Sequence, residues 1–460
     1  MKRDSIDLGS THIPRLFRLY FIPTLLGMLS ICVVTAIDGI FIGHGVGSDG
    51  VAAVNIAYSP MMLLVGVGLM LGMGCSVVSS IHLSRGAVKT ARYNVSQALL
   101  AVSVFVMLFW ILVYTFPERF AGLLGASPTL MPLVLDYMLW IAPGMMFSAW
   151  SMIGLFIIRL DGKPKLAMWL NIIPCSLNAV LDYVFIFPLD MGLKGAAIAT
   201  SISMAIGGIM VMIYLGRFAV TLRLIRLKLT VKSLRLALRN LGYQSRIGVS
   251  ALLGEASMAV IMFMGNRVFM HYTGDDGVAA FGIACYYCPF IFMIGNAIAQ
   301  SAQPIISYNF GIGRNDRVRA TERLAVITAV AGGVLVTLMF VFMPNLLVAL
   351  FIDPQGSAAR LAIAGLPLFS AAVIFYIFNL TAIGYYQSIE RATPAIAFAL
   401  LRGFVFIVPS FLLMPLIAGT TGIWLALAVS EVLTATCIII FYAVKRRSSV
   451  HPAEEAADKE

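Results

Sequence analysis

The sequence has little charge. Only 12% of its 460 residues are Asp, Glu, Lys or Arg, whereas 60% are hydrophobic. Soluble globular domains are about 25% charged and about 45–50% apolar. This composition excludes an ordinary soluble fold, and it predicts a chain that is surrounded by lipid.

The chain also lacks the residue patterns of metal sites and of common enzymes. All six cysteines lie in apolar runs, and the pair Cys285 and Cys288 has no second Cys pair or His cluster nearby. A zinc site needs about four ligands, so we expect none. No GxxxxGK(S/T), HExxH or GxSxG motif is present. We therefore expect no catalytic activity, no cofactor and no ATP-driven pump, which leaves an ion gradient as the energy source.

Long apolar runs are present instead. The first, from Leu16 to about Gly43, is longer than the roughly 7–15 residues of a signal peptide, so we interpret it as a membrane span. A span needs about 20 apolar residues. Twelve runs meet this requirement approximately: 17–43, 52–80, 93–116, 130–158, 166–188, 195–216, 247–270, 278–306, 322–346, 360–388, 394–417 and 421–444.

The positive charges support this division. Of the 32 Lys and Arg residues, only Arg119, Lys194, Arg267 and Arg360 fall on one side of the membrane, and Arg402 lies within a span. The side that carries more Lys and Arg is normally cytoplasmic, so both termini and the central loop are predicted to be cytoplasmic. Topology explains the net charge of +11, so we expect no nucleic-acid partner; the basic loops would contact anionic lipid.

An internal repeat divides the chain into two halves. The sequence Asp-Gly-Val-Ala-Ala at 49–53 recurs at 276–280, each time at the entry to the second span of a half. The repeat predicts two parallel six-helix lobes, a common arrangement for alternating access. The predicted domains are an N-terminal lobe (1–216), a basic connecting loop (217–246), a C-terminal lobe (247–444) and a cytoplasmic tail (445–460). The interleaved leucines of the loop also allow an amphipathic surface helix.

Four oxygen-bearing side chains share one level of the first half. At 1.5 Å per residue, Asp38, Asp182 and Thr200 lie roughly 8–9 Å from the predicted outer ends of their spans. Asn178 is one helical turn from Asp182 on the same face. Such a set suits a hard monovalent cation, or protons shared between two carboxylates. The alternative is interhelical hydrogen bonding without a transport role.

A second cluster is predicted deeper in the other half. Glu255 and Arg402 lie roughly 12 Å from the cytoplasmic ends of their spans, and Glu431 is near the midplane. Pairing of Arg402 with Glu431 is the structural interpretation. Glu255 as a site for a proton or a cationic substrate is the functional one, and the sequence leaves both open.

Distinctive local patterns lie in or beside four spans. Span one reads PTLLGMLSICVVTAIDGIFIGHGVG and span five contains NAVLDYVFIF. GAAIATSIS begins span six, and QPIISYNFGIGR follows span eight. With these patterns the chain resembles the multidrug and toxic compound extrusion (MATE) family, over about residues 13–442. The family's bend proline and N-lobe cation ligands correspond to Pro23, Asp38, Asn178, Asp182 and Thr200.

The resemblance implies an all-α secondary transporter with twelve transmembrane helices, in two six-helix lobes around a central cavity. It would exchange Na⁺, or otherwise H⁺, for organic and often cationic drugs across the inner membrane. Because the two internal halves already supply a pathway, we expect a monomer. Glu255 resembles an acid shared by many bacterial members. Some sodium-driven members have a further acid in span ten, which this chain lacks, so we expect no cation site there.

A lipid-linked oligosaccharide flippase of the same wider superfamily is the alternative function. Cargo linked through pyrophosphate would require several Lys or Arg residues in the cavity, but Arg402 is the one basic residue deep in a span, against four acids. A passive channel is a third interpretation, and it accounts poorly for the buried acids.

Overall fold

The computed structural model describes residues 6–227, 230–352 and 355–448. Within these ranges the chain forms helices and no strand. The helices are α1 (Ile13–Gly45), α2 (Ser48–Ser84), α3 (Val88–Thr115), α4 (Pro117–Leu123), α5 (Met131–Leu160), α6 (Pro164–Ile186), α7 (Gly192–Ile213), α8 (Val231–Gly311), α9 (Asn315–Phe342), α10 (Pro344–Ala349), α11 (Ser357–Ser370), α12 (Val373–Ser388), α13 (Ala392–Leu400) and α14 (Ile407–Ser448). Single π-helical turns follow α7 and α13.

The described helices account for twelve membrane spans. Nine are long and apolar enough to cross a membrane, or ten if the bent pair α11 and α12 counts as one span. Two of the nine, Ser233–Gly311 and Ala392–Lys445, are long enough to cross twice. Each is broken by a glycine with positive φ, Gly274 or Gly419. Dividing both at these breaks gives twelve, so the predicted all-helical membrane fold is confirmed.

The outer surfaces of the helices are apolar. On α3, Leu108, Ile111 and Leu112 are each more than half exposed, while Val102 and Val106 of the same helix are buried. Soluble monomers rarely expose contiguous apolar patches of this kind. The chain is therefore a multi-pass membrane protein whose exposed leucine and isoleucine side chains face lipid.

Contacts divide the chain into two compact units. The first comprises Met1–Glu255, Gln300–Glu322 and Gln387–Ala392, and the second comprises Ala256–Ala299, Arg323–Tyr386 and Thr393–Glu460. The first unit therefore includes short segments that lie in the second half of the sequence. The lobe boundaries predicted at residues 216 and 247 stay a prediction.

Asp161, which follows α5, holds the start of the predicted connecting loop. Its carboxylate is buried and accepts a hydrogen bond from the Tyr214 hydroxyl at 2.7 Å. It also accepts bonds from the backbone amides of Val220, Thr221 and Leu222 at 3.0, 2.9 and 3.2 Å. These bonds fix the loop along the first unit in a non-helical conformation.

The connecting loop is only partly helical. The described residues from 219 to 227 are not helical, and α8 begins at Val231, well before the predicted start of span seven at residue 247. The Thr230 hydroxyl accepts a hydrogen bond from the Ser233 amide at 3.3 Å, as an N-cap does. The amphipathic helix that the sequence allowed is therefore limited to the first turns of α8.

We expect Asp161→Ala to release the loop from the first unit. The substitution leaves a hydroxyl and three amides without their acceptor, at about 1–3 kcal/mol for each group that stays buried. Trypsin should then cut after the exposed Arg223 about tenfold faster, because cleavage follows local opening. Asp316→Ala, at an exposed carboxylate in the first turn of α9, is the control and should leave the rate unchanged. Equal rates for the two variants would contradict a clamping role.

Candidate functional site

The first predicted cluster lies on α1, α6 and α7 of the first unit. A short turn joins α6 to α7, closed by a hydrogen bond from the Met191 amide to the Phe185 carbonyl at 3.0 Å. Asp190 within this turn has a φ of 48°. The antiparallel helices that result place the Asn178 amide nitrogen 3.3 Å from the Thr200 hydroxyl, to which it donates. Two of the predicted ligands are therefore in direct contact.

α1 packs along α6. The side-chain amide of Asn171 donates to the carbonyl of Gly27 at 2.9 Å. This hydrogen bond joins the two helices about three turns before Asp38 and Asp182. A Cβ at Gly27 would lie 3.6 Å from the α6 backbone at Met168, so the helices approach closely. This packing brings the carboxyl groups of Asp38 and Asp182 within hydrogen-bonding reach of each other.

The two carboxyl groups are poorly satisfied by the protein. Asp182 is fully buried, and neither of its carboxylate oxygens has a hydrogen-bond donor among the described residues. One oxygen of Asp38 is in the same situation. A buried charge is strongly unfavourable unless it is paired. The arrangement therefore favours a cation or a proton between the carboxylates.

Tyr137 is a neighbour of this site that sequence reasoning missed. It lies on α5, is 2% exposed, and is close enough to interact electrostatically with both Asp38 and Asp182. The chain has 16 tyrosines, most of them in apolar runs. Nothing in the sequence around Tyr137 distinguishes it from those that only pack.

The second unit contains a buried ion pair. Arg402 lies in the π-helical turn Leu401–Val405, and its Nε donates to a carboxylate oxygen of Glu431 on α14 at 2.8 Å. Both side chains are almost completely buried. A π-helical turn inside a helix is rare and often marks a functional site. Here it places the guanidinium of Arg402 against the carboxylate of Glu431.

Two residues of α12 contact this ion pair. The amide of Asn379 donates to the second carboxylate oxygen of Glu431 at 2.7 Å, and the guanidinium of Arg402 lies 3.8 Å from the ring centre of Tyr376. Sequence reasoning considered span ten only for acids and so missed both. An asparagine in a run as apolar as IFYIFNLTAI is the signal that would have found Asn379.

The remaining predicted residues lie on α1 and α8. Glu255 is on α8, at the end of the first segment of the first unit. Pro23 is buried within α1, which continues as a helix on both sides of it. Cys285 and Cys288 are both buried and form no disulfide, and the Cys288 thiol donates to the carbonyl of Ala284 at 3.7 Å. Among the described residues, no three His, Cys, Asp or Glu side chains form a metal-binding group.

Known proteins resemble this chain along nearly its whole length. The sequence profile of the MatE family matches residues 23–184 and 251–412, one segment in each half of the repeat. Multidrug export protein MepA of Staphylococcus haemolyticus is 24% identical over 94% of both chains. MepA of Staphylococcus aureus strain N315 is also 24% identical, over 95% of both chains.

Solved structures share the fold. An outward-facing multidrug resistance MATE family transporter of the MOP superfamily aligns with a TM-score of 0.89 at 20% identity, over 97% of this chain and 99% of the other. A MOP superfamily transporter from Pyrococcus furiosus Vc1, described as having a binding pocket of reverse polarity that suggests a different function, aligns with a TM-score of 0.87 at 19% identity, over 97% and 98%. At these identities the likeness shows the fold alone.

Proposed function

The chain belongs to the MatE family, and on that premise we propose that it is a secondary active transporter that exports organic, often cationic, drugs in exchange for Na⁺ or H⁺. One observation carries the proposal: Asp182 is fully buried, next to the carboxyl of Asp38, and no donor among the described residues reaches either of its carboxylate oxygens. A purely structural acid would have its oxygens bonded. We propose that these oxygens bind the coupling cation.

The four residues of the first cluster supply oxygen ligands. Asp38 and Asp182 contribute carboxylates, and Asn178 and Thr200 contribute an amide oxygen and a hydroxyl. The Asn178 amide group donates through its nitrogen to Thr200, which leaves its oxygen available. Hard cations prefer oxygen ligands of these types. Na⁺ is therefore our first choice and H⁺ the second.

Cation binding would act on α1. Neutralising Asp38 and Asp182 removes the repulsion between two close carboxylates and changes how α1 packs on α6. Pro23 lacks the amide that would bond the carbonyl one turn earlier, so α1 can bend there at low cost. Coupling requires that the cation bind the two states of the transporter with different affinity. Pro23 would serve as the hinge in this cycle.

We propose drugs as cargo because the relatives named above are multidrug export proteins. Charge supports cations over the pyrophosphate-linked lipid of a flippase, since Glu431 neutralises Arg402. Glu255 remains our candidate for a cationic substrate or a proton. We propose a monomer, because the two internal halves already supply a pathway. Its bacterial relatives favour the cytoplasmic membrane of a bacterium, and the charge pattern of the loops favours both termini inside.

The test is dye efflux from proteoliposomes. The purified protein is reconstituted with a fluorescent organic cation inside, at constant pH, and a sodium gradient is compared with an equal potassium gradient. We expect efflux to follow sodium. If sodium has no effect, a pH gradient is imposed in a second experiment. Efflux that follows the pH gradient alone would assign the cluster to protons, and no response to either gradient would favour the flippase function.

A further inference from the structure

Arg159 is a buried cation at the end of α5. It is 6% exposed and belongs to the first unit. Its guanidinium Nη1 donates to the side-chain carbonyl of Gln300 on α8 at 2.7 Å, and its central carbon lies 5.5 Å from the centre of the Phe156 ring. Both neighbours are neutral, so neither balances the positive charge of Arg159.

No carboxylate among the described residues forms an ion pair with Arg159, whereas Arg402, which is also buried, pairs with Glu431. The carboxylate nearest in the sequence is that of Asp161, and its oxygens accept the hydrogen bonds from Tyr214 and the connecting loop. A buried charge without a counter-charge is strongly unfavourable. Arg159 therefore requires a counter-ion that is not part of the described chain.

The end of the helix does not account for this cation by itself. Arg159 lies in the last turn of α5, where the helix dipole favours a positive charge. That effect is small compared with the cost of removing a guanidinium from water. The single hydrogen bond to Gln300 leaves Nε without an acceptor among the described residues.

The free edge of the guanidinium indicates the class of ligand. Bonding through Nη1 leaves the edge formed by Nε and Nη2, whose two parallel N–H groups match two oxygens of one phosphate or carboxylate group. Tyr20 of α1 donates its hydroxyl to the Arg159 carbonyl at 3.0 Å, which places the start of α1, with the exposed Arg18, beside this end of α5. Lys163 follows at the N-cap of α6. Basic pockets between membrane helices at this level favour phosphate groups.

We propose that Arg159 binds a phosphate group where α1, α5 and α8 meet in the first unit. A phospholipid headgroup and free phosphate present the same oxygens and are the two sources. The bound group neutralises Arg159 and stabilises the contact of α5 with Gln300. The site is separate from the cation cluster of Asp38 and Asp182, and the proposal does not depend on the proposed function.

The test is the melting temperature of the purified protein in a maltoside detergent, followed by tryptophan fluorescence. Potassium phosphate is titrated against potassium chloride at equal ionic strength. In a second series, phosphatidylglycerol is titrated against phosphatidylcholine, whose phosphate is neutralised by its choline group. We expect a rise in melting temperature, because a ligand stabilises the state that binds it. A rise with phosphate alone identifies free phosphate as the source, a rise with phosphatidylglycerol alone identifies the headgroup, and a rise with both shows that the site accepts either.

Arg159→Gln should weaken the apparent affinity for the stabilising ligand at least about tenfold, because two charge-assisted hydrogen bonds are lost. Arg18→Gln is the matched control. It removes an exposed charge from the same end of the first unit and should change the affinity less than about twofold.

Equal affinities of Arg159→Gln and the unsubstituted protein would overturn the site, and so would a melting temperature that neither ligand changes. If Arg159→Gln does not fold, Arg159→Lys decides the matter. It keeps the charge but cannot form two parallel hydrogen bonds, so we expect a weaker affinity, and an unchanged affinity would overturn the assignment. None of these measurements involves transport, so this site and the proposed function stand or fall separately.

Discussion

Asp182→Asn should reduce cation-driven dye efflux to the rate of liposomes without protein, and Asp38→Asn should do the same. Each substitution keeps the size of the side chain but removes one of the two negative charges that attract the cation. A cation held by a single carboxylate would bind too weakly to distinguish the two states of the transporter, and coupling would be lost. The measurement is efflux under an imposed sodium gradient.

Stability distinguishes this role from a structural one. If Asp182 were present for packing, its substitution would destabilise the fold, whereas the loss of repulsion between two close carboxylates leaves stability unchanged or raises it. Sodium should also raise the melting temperature of the unsubstituted protein and not that of Asp182→Asn, because a ligand stabilises only the state that binds it. Asp136→Asn, at an exposed carboxylate on α5, is the control and should retain both efflux and the sodium effect.

Normal sodium-driven efflux by Asp182→Asn would contradict the assignment of the cluster. Loss of efflux together with a lower melting temperature in the absence of sodium would instead favour the interhelical hydrogen-bonding interpretation. The two interpretations therefore differ in a measurement that involves no transport.

The second large effect concerns the ion pair of the second unit. Glu431→Leu should destabilise the protein by about 3–5 kcal/mol, because it leaves the guanidinium of Arg402 buried without its counter-charge. Removing both charges together, as Arg402→Met with Glu431→Leu, should recover most of this loss, since replacing a buried pair with apolar side chains is often neutral. Unfolding in a detergent series, monitored by tryptophan fluorescence, measures the difference.

Arg360→Met provides the control, because Arg360 is exposed and should contribute little. If the double variant were as unstable as Glu431→Leu, the two charges would not act as a pair. If it were stable but exported no dye, the pair would have a role in transport beyond stabilising α12, α14 and the π-helical turn.

The sequence predicted the membrane fold well for a physical reason. Lipid offers no hydrogen bonds, so an apolar run of about 20 residues crosses as a helix that bonds its own backbone, and the positive charges mark its ends independently. The first cluster was predictable for a related reason. Asp38 and Asp182 are costly in an apolar run, and the helical rise places them at one depth.

Contacts that depend on packing were not predictable. The electrostatic interaction of Tyr137 with the two carboxylates follows from how α5 packs, which no local pattern encodes. The clamp at Asp161 depends on three amides of a loop far along the chain. The π-helical turn that directs Arg402 toward Glu431 is a local irregularity of the helix. No residue pattern around Arg402 predicts such a turn.

The most direct test of the central claim is the exchange itself. Proteoliposomes are loaded with the cationic dye and placed in a low concentration of radioactive sodium, at equal pH inside and outside and with no initial sodium gradient. If the protein exchanges the two cations, the outward dye gradient drives sodium into the vesicles above its equilibrium level, and Asp182→Asn abolishes that uptake. Dye that leaves while sodium stays at equilibrium would contradict sodium-coupled antiport.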